Sequence, residues 1–255
     1  MSVTGSSNAP SLGIVRNDLS TEDLCDCPLT PDPIKGLLQE LKELIRAFDL
    51  VPYSITTRRG ELKQIIVMSD HAVSAAIVRF VLRSTESVTR VRRCVEVIQR
   101  TFPWAHVISC NIQPIPAAIV EGREEIVLTD ASHIKENYGE IPLYLSPQSF
   151  MQVTPEIAAR LYQYAADAVT GEEFKNVFDL YCGAGGFSLH IAPRVGHVTG
   201  VELSESAVAA AQRSASELGI SNAMFIATPV EEFLNSSGLS KPDLTLVNPP
   251  RRGLT

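Results

Sequence analysis

From Thr154 onward, short β-branched runs alternate with helical stripes at close intervals, and few folds accommodate that pattern. TPEIAARLYQYAADAV reads as a helix, NVFDLYCG as a strand, FSLHIAPR as a short helix and HVTGVEL as a strand. SESAVAAAQRSASELG, NAMFIAT, PVEEFLNSS and DLTLVNPP continue the alternation as helix, strand, helix and strand. Thr154, Pro155 and Glu156 suit the cap and first turn of the first of these helices. Strands joined through intervening helices run parallel, and the helices must cover both faces of the sheet. The second part of the chain is therefore expected to be a doubly wound, Rossmann-like α/β domain spanning 146–255.

The preceding part has a different texture. Ile34, Leu37, Leu38, Leu41, Leu44, Ile45 and Phe48 form the stripe of a helix with one buried face. YSITTRR, the Gly60 turn and ELKQIIVMS read as strand, turn and strand, followed by AAIVRFVLR as a third. A helix over 88–102 precedes strands HVISCNIQ, EEIVLTD and IPLYLS. This predicts an α+β domain over 1–145, with its first twenty or so residues, rich in Ser, Asn, Gly and Pro, as a loose lead-in.

Composition narrows the function. With 45% hydrophobic and 20% charged residues, the chain is neither disordered nor a coiled coil. No apolar run reaches the roughly 18–20 residues that span a bilayer, and MSVTGSSNAPSLG lacks the pattern of a secretion signal. A cytoplasmic protein with no membrane partner is expected. Five cysteines in such a chain argue against a disulfide framework. A net charge of −7 disfavours nucleic-acid binding by bulk charge, but leaves room for a local basic groove.

The sharpest motif is DLYCGAGGFSLHIA, where a strand runs through Gly183, Gly185 and Gly186 into a helix. Glycines there let the backbone bend tightly and let a ligand approach the main chain. Glu202 ends the next strand, where a carboxylate accepts both hydroxyls of a ribose. Ser188 stands where a dinucleotide fingerprint needs its third glycine, which counts against a nicotinamide cofactor. Asn248, held by Pro249 and Pro250 at a third strand tip, completes a set that favours methyl transfer.

Several segments carry a closer resemblance: EDLCDCPL (22–29), RRGELK (58–63), NIQP (111–114), PQSFMQV (147–153), DLYCGAGGFSLH (179–190) and VNPPRRG (247–253). Together they resemble the RNA uracil-C5 methyltransferases, in particular the iron–sulfur branch acting on 23S ribosomal RNA. The resemblance implies a Rossmann-like S-adenosylmethionine-dependent domain, C-terminally incomplete here, and a 23S rRNA substrate with no obligate protein partner. It implies cofactor contacts at Gln152, Tyr181, Gly183, Gly185, Glu202 and Asn248. It also implies the chemistry. Uracil C5 is a weak nucleophile, so a cysteine thiolate adds at C6, C5 takes the methyl group, and a base removes the C5 proton. The target uridine must first leave its stack.

The family places that nucleophile and base downstream of NPPR, whereas this chain ends at Thr255. The expectation is an internal fragment that holds cofactor without the catalytic cysteine or glutamate, and an exposed apolar edge at LTLV. Cys182, in the glycine turn, is read as packing. The family branch also holds a four-iron cluster on four cysteines; Cys27 matches one, and its three partners are absent from the matching region. One cysteine cannot hold a cluster, and Cys25 with Cys27 is half of a zinc site at most. Arg58, Arg59 and Lys63, and separately Arg90, Arg92 and Arg93, are candidate RNA contacts. Competing readings are an Asn-Pro-Pro amino-methyltransferase, disfavoured by Arg251 where an aromatic would follow, and a non-catalytic RNA-binding module.

Overall fold

The computed structural model describes residues 1–18, 20–115, 121–152, 154–169, 174–236 and 240–249. The chain divides into two compact units, Met1–Ile134 and Lys135–Thr255.

The first unit is built on a seven-stranded sheet. Its strands are β1 (Ser2–Ser6), β2 (Ala9–Val15), β3 (Thr21–Asp23), β4 (Leu62–Ser69), β5 (Ala76–Leu82), β6 (Val107–Ile112) and β7 (Glu124–Val127). They lie in the order β3-β2-β1-β4-β5-β6-β7. Only β5 and β6 pair in parallel, joined through α2 (Val88–Thr101) as a crossover helix. Helix α1 (Asp32–Ala47) buries Ile34, Leu37, Leu38, Leu41, Leu44 and Ile45, the stripe read from its spacing. These side chains share a core with Val78, Phe80 and Leu82 of β5 and with Ile108 and Cys110 of β6. Side chains alternate along a strand, so Arg79, Ser109, Asn111 and Glu125 fall on the opposite sheet face.

Two local expectations are corrected. The first residues are not a loose lead-in: β1 and β2 pair from Ser2↔Gly13 to Ser6↔Ala9, and β1 reaches β4 at Ser2↔Gln64. Their Gly, Ser, Asn and Pro residues build a hairpin, Gly5 taking a φ of 83° that a side chain would oppose. YSITTRR is not a strand either. It is a tight turn carrying single bridges at Pro52↔Leu62 and Ser54↔Arg59.

In the second unit, β8 (Ile134–Tyr138, beginning at the boundary) and β9 (Ile141–Leu145) form a hairpin ahead of the parallel sheet. β9 packs on α5 (Glu205–Glu217), and Tyr138 and Leu143 join the core of that unit. The division therefore falls before the hairpin rather than at residue 145. The rest comprises α3 (Pro155–Ala168), β10 (Asn176–Leu180), α4 (Gly186–Ile191), β11 (His197–Glu202), α5, β12 (Ala223–Ala227), α6 (Val230–Leu234) and β13 (Leu244–Val247). All sheet pairs are parallel, in the order β12-β11-β10-β13.

Two cores flank this sheet. Phe178, Leu180 and Val201 pack with Val230 and Phe233 of α6, while Val177 and Val198 pack with Ala166 of α3 and Ile191 of α4. Alternation along β10 sends neighbouring residues to opposite cores, which is the doubly wound arrangement expected. Pro155 takes the first position of α3, but Thr154 makes no side-chain cap; Ser204 does cap α5, accepting from the Ala207 amide at 3.3 Å. Among the described strands, β13 pairs only with β10, and Val247 is 48% exposed on that edge.

Candidate cofactor site

The site gathers at the carboxyl edge of β11, β10 and β13, where a doubly wound sheet opens a crevice. After β10 the backbone turns through Tyr181 at φ 64°, Gly183 at 55° and Gly185 at 83°. A left-handed tyrosine costs on the order of 1–3 kcal/mol, a strain that concentrates at ligand sites. A Cβ built on Gly183 meets nothing within 4 Å, so the loop leaves open space beside its main chain. At Gly185 a Cβ would lie 3.0 Å from the Phe225 ring and 3.1 Å from Ala211, so glycine lets the loop close onto α5 and β12.

Glu202 spans this loop and the next. One carboxylate oxygen accepts from the Gly183 amide at 3.1 Å and the other from the Ser204 amide at 3.0 Å. The ribose-type acid and the glycine loop, matched separately in the sequence, are thus in direct contact. Tyr181 is half-buried and its hydroxyl donates to Glu231 at 3.3 Å. Asn248 is exposed beyond β13, its amide 3.5 Å from the Leu180 carbonyl. Gln152 lies ahead of α3, half-buried, its backbone hydrogen-bonded to the Tyr138 hydroxyl. Pro250 and the rest of PRRG, Arg251 included, lie outside the described residues, as does Val153 of PQSFMQV.

The sequence reading missed Asp179 and undervalued Ser188. Asp179 is fully buried in β10. Its Oδ2 accepts from the Ser188 amide at 3.0 Å and from the Ser188 hydroxyl at 2.6 Å, while Oδ1 has no hydrogen-bond partner among the described residues. Ser188 is therefore not a defective glycine but the residue that ties α4 to β10. The signal was an acid inside an otherwise apolar strand, just ahead of the glycine turn.

Burial lifts the Asp179 carboxyl to about 6, against the two Ser188 hydrogen bonds that lower it and with the Glu202 charge adding to the rise. The folded chain keeps this proton until about pH 6, whereas an unfolded aspartate releases it near pH 4. In that window the folded state binds more protons, so the stability contributed by this group falls as pH rises through it. Asp179→Asn cannot titrate and should melt with a flatter pH profile than the parent between about pH 4 and 6. Parallel thermal-melt profiles for the two proteins would exclude Asp179 as the titrating group.

Four of the five cysteines, Cys25, Cys94, Cys110 and Cys182, are buried and carry little nucleophilic character. Cys182 is 7% exposed; burial, with Asp179 and Glu202 nearby, pushes its thiol far up. Burial lifts Cys94 and Cys110 to about 12 and Cys25 to about 11. Cys25 sits beside Asp23, itself paired with Lys42 at 2.6 Å, and Cys27 is half-buried. Among the described residues no group of three or more His, Cys, Asp or Glu could hold a metal ion. Cys27 and its surroundings therefore do not fit a four-iron cluster by themselves.

The residues do fit an adenosylmethionine-type ligand. An uncovered glycine loop, a carboxylate bonded to it and an unsatisfied buried oxygen on Asp179 all lie at the crevice end of β10 and β11. Comparison with known proteins agrees. The tRNA (Uracil-5-)-methyltransferase family model matches residues 133–241. The 23S rRNA (uracil(747)-C(5))-methyltransferase RlmC of Pectobacterium atrosepticum is 42% identical over 254 residues, covering 100% of this chain and 68% of that protein. The protein of the same name from Escherichia fergusonii is 41% identical with the same coverage. The Pyrococcus abyssi tRNA (uracil-54, C5)-methyltransferase in complex with S-adenosyl-L-homocysteine shares the fold at a TM-score of 0.75 and 18% identity, covering all of this chain and 60% of that one. The chain thus spans 68% of the length of the Pectobacterium relative and 60% of the Pyrococcus one. Matched along its whole length at this level of identity, it belongs to the RNA uracil-C5 methyltransferase family.

Proposed function

We propose that this chain provides the cofactor-binding part of an S-adenosylmethionine-dependent enzyme that methylates uracil C5 in 23S ribosomal RNA, in the cytoplasm. The observation that carries the reading is Glu202 bonded to the Gly183 amide at the end of two adjacent parallel strands. The names of its relatives, which act on 23S rRNA, support the substrate.

When bound, S-adenosylmethionine supplies a methyl group made electrophilic by its sulfonium sulfur. The residues of this chain would hold and orient it. Glu202 takes the ribose hydroxyls, and the bare main chain at Gly183 and Gly185 admits close approach. Tyr181 offers an aromatic face beside the loop, while Gln152 and Asn248 supply amides around the pocket. Asp179 holds α4 against β10 through Ser188, keeping the loop in place before ligand arrives. The nucleophile for uracil C6 is assigned to none of the five cysteines: Cys25, Cys94, Cys110 and Cys182 are buried thiols with raised pKa and poor sources of thiolate, and Cys27 lies in the segment that resembles the cluster-binding region of the family branch. The iron–sulfur cluster of the family branch likewise needs ligands beyond Cys27, and no step depends on it.

The test is calorimetric titration with S-adenosylhomocysteine and with NAD, followed by incubation with 5-fluorouridine RNA, which traps the covalent adduct at C6. The expected outcome is binding of S-adenosylhomocysteine alone and no denaturation-resistant adduct. Preference for NAD would overturn the cofactor assignment. An adduct abolished by Cys182→Ala would overturn the exclusion of that thiol.

A further inference from the structure

The turn that replaced the expected strand at 53–59 has no role in the site above, yet its backbone is held by its own hydrogen bonds. The Ser54 amide donates to the Arg59 carbonyl and the Arg58 amide to the Ser54 carbonyl, both at 2.8 Å. The Thr57 amide donates to the Ser54 hydroxyl at 3.2 Å. These bonds hold Arg58 at φ 55° and Gly60 at 92°. A Cβ on Gly60 would lie 2.1 Å from the Pro52 carbonyl oxygen, so the base of the turn admits only glycine. A left-handed arginine is strained, and such strain points toward function when it presents a side chain.

What it presents is positive charge that no carboxylate among the described residues pairs with. In the same unit Lys35, Lys42, Arg46, Arg79 and Arg83 are each paired with a carboxylate. Between Leu50 and Gly60, however, the sequence contains no Asp or Glu. Arg58 and Arg59 are both exposed, flanked by exposed Thr56 and Thr57 hydroxyls, and Ile55 is 66% exposed at the tip. At the base, the Lys63 ammonium lies 4.9 Å over the Tyr53 ring. It also donates to the Gln113 carbonyl at 2.7 Å and the Ile115 carbonyl at 2.8 Å, so it braces the turn rather than projecting from it.

We infer that this turn is a backbone-contacting surface for the RNA substrate, with Arg58 and Arg59 placed on phosphates and Thr56 and Thr57 within reach of phosphate or sugar oxygens. The inference rests on the RNA reading above. Two forked guanidinium groups beside two hydroxyls suit phosphodiester oxygens, which accept bidentate hydrogen bonds. In a chain of net charge −7, a local acid-free turn of this kind supplies the attraction that overall charge does not.

The experiment measures affinity for a single-stranded 23S rRNA fragment across a salt series, for the parent, Arg58→Gln/Arg59→Gln and Arg92→Gln/Arg93→Gln. Each phosphate contact on single strands contributes about 0.7 to the slope of log affinity against log salt, so the turn variant should lose about 1.4. At about 0.1 M salt its affinity should fall on the order of tenfold, while the α2 variant stays close to the parent. Polyglutamate should not compete. S-adenosylhomocysteine affinity and melting temperature should be unchanged in both variants, since the turn lies in the other unit. An unchanged slope for the turn variant, an equal loss in the α2 variant, or displacement by polyglutamate would each overturn the inference. A parent chain that binds S-adenosylhomocysteine but no RNA would overturn it too, while leaving the cofactor assignment standing.

Discussion

Glu202→Ala should weaken S-adenosylhomocysteine binding by about 1.5–3 kcal/mol, roughly ten- to a hundredfold, the range for charge-assisted hydrogen bonds. Two losses combine in that figure. The ribose hydroxyls lose their acceptor, and the Gly183 and Ser204 amides lose the carboxylate that holds both loops in register. Glu202→Gln separates them. The amide keeps one oxygen for a backbone donor but gives up the charge, so its affinity should fall between those of the parent and Glu202→Ala. Urea melts of the unliganded proteins check that the loss concerns the ligand. If calorimetry finds the same affinity in all three proteins, Glu202 does not touch the ribose.

Arg79→Met should destabilise the first unit by about 3–5 kcal/mol, the cost of removing one partner from a buried ion pair. Arg79 is 1% exposed in β5. Its Nε reaches both Glu125 oxygens at 3.0 and 2.9 Å, and a further guanidinium nitrogen lies 2.8 Å from Glu121. Ser109 and Asn111 donate to the same Glu125 carboxylate at 2.7 and 2.9 Å. Asn111 also clasps Gly122 through its carbonyl and amide groups, which gives the NIQP segment a structural task. Without the guanidinium, a mostly buried carboxylate keeps two neutral donors and no countercharge. The double variant Arg79→Met/Glu125→Leu should recover much of the loss, because apolar residues of similar volume replace a buried pair at little cost. Equal instability of the single and double variants would show that packing, not uncompensated charge, sets the penalty.

These two sites differ in how far the sequence reveals them. Periodicity alone located α1, α2 and the whole β–α alternation of the second unit. Each of those segments buries one face or both, and burial imposes a spacing that shows in one dimension. The glycine turn and Glu202 were legible for a similar reason: backbone turns and strand tips demand particular residue types at particular intervals. The hairpin of β1 and β2 was not legible. Its stability comes from pairing with β4, far along the chain, while its own residues have the composition of a loop. The turn at 53–59 misled in the opposite direction, since Ile55, Thr56 and Thr57 favour strands, and the left-handed backbone at Arg58 and Gly60 overrides that preference.

By itself, then, the sequence determined the doubly wound class of the second unit, its glycine loop and the likeness to uracil-C5 methyltransferases, because local spacing and motif chemistry are written in neighbouring residues. Only the tertiary structure decided that Asp179 is buried with one oxygen unsatisfied and that Ser188 holds the other. It alone brought Glu202 onto the Gly183 amide and closed Arg79 between Glu121 and Glu125. Such features depend on which groups packing removes from water and on which distant partner then meets them, and desolvation is a property of the folded chain rather than of any segment.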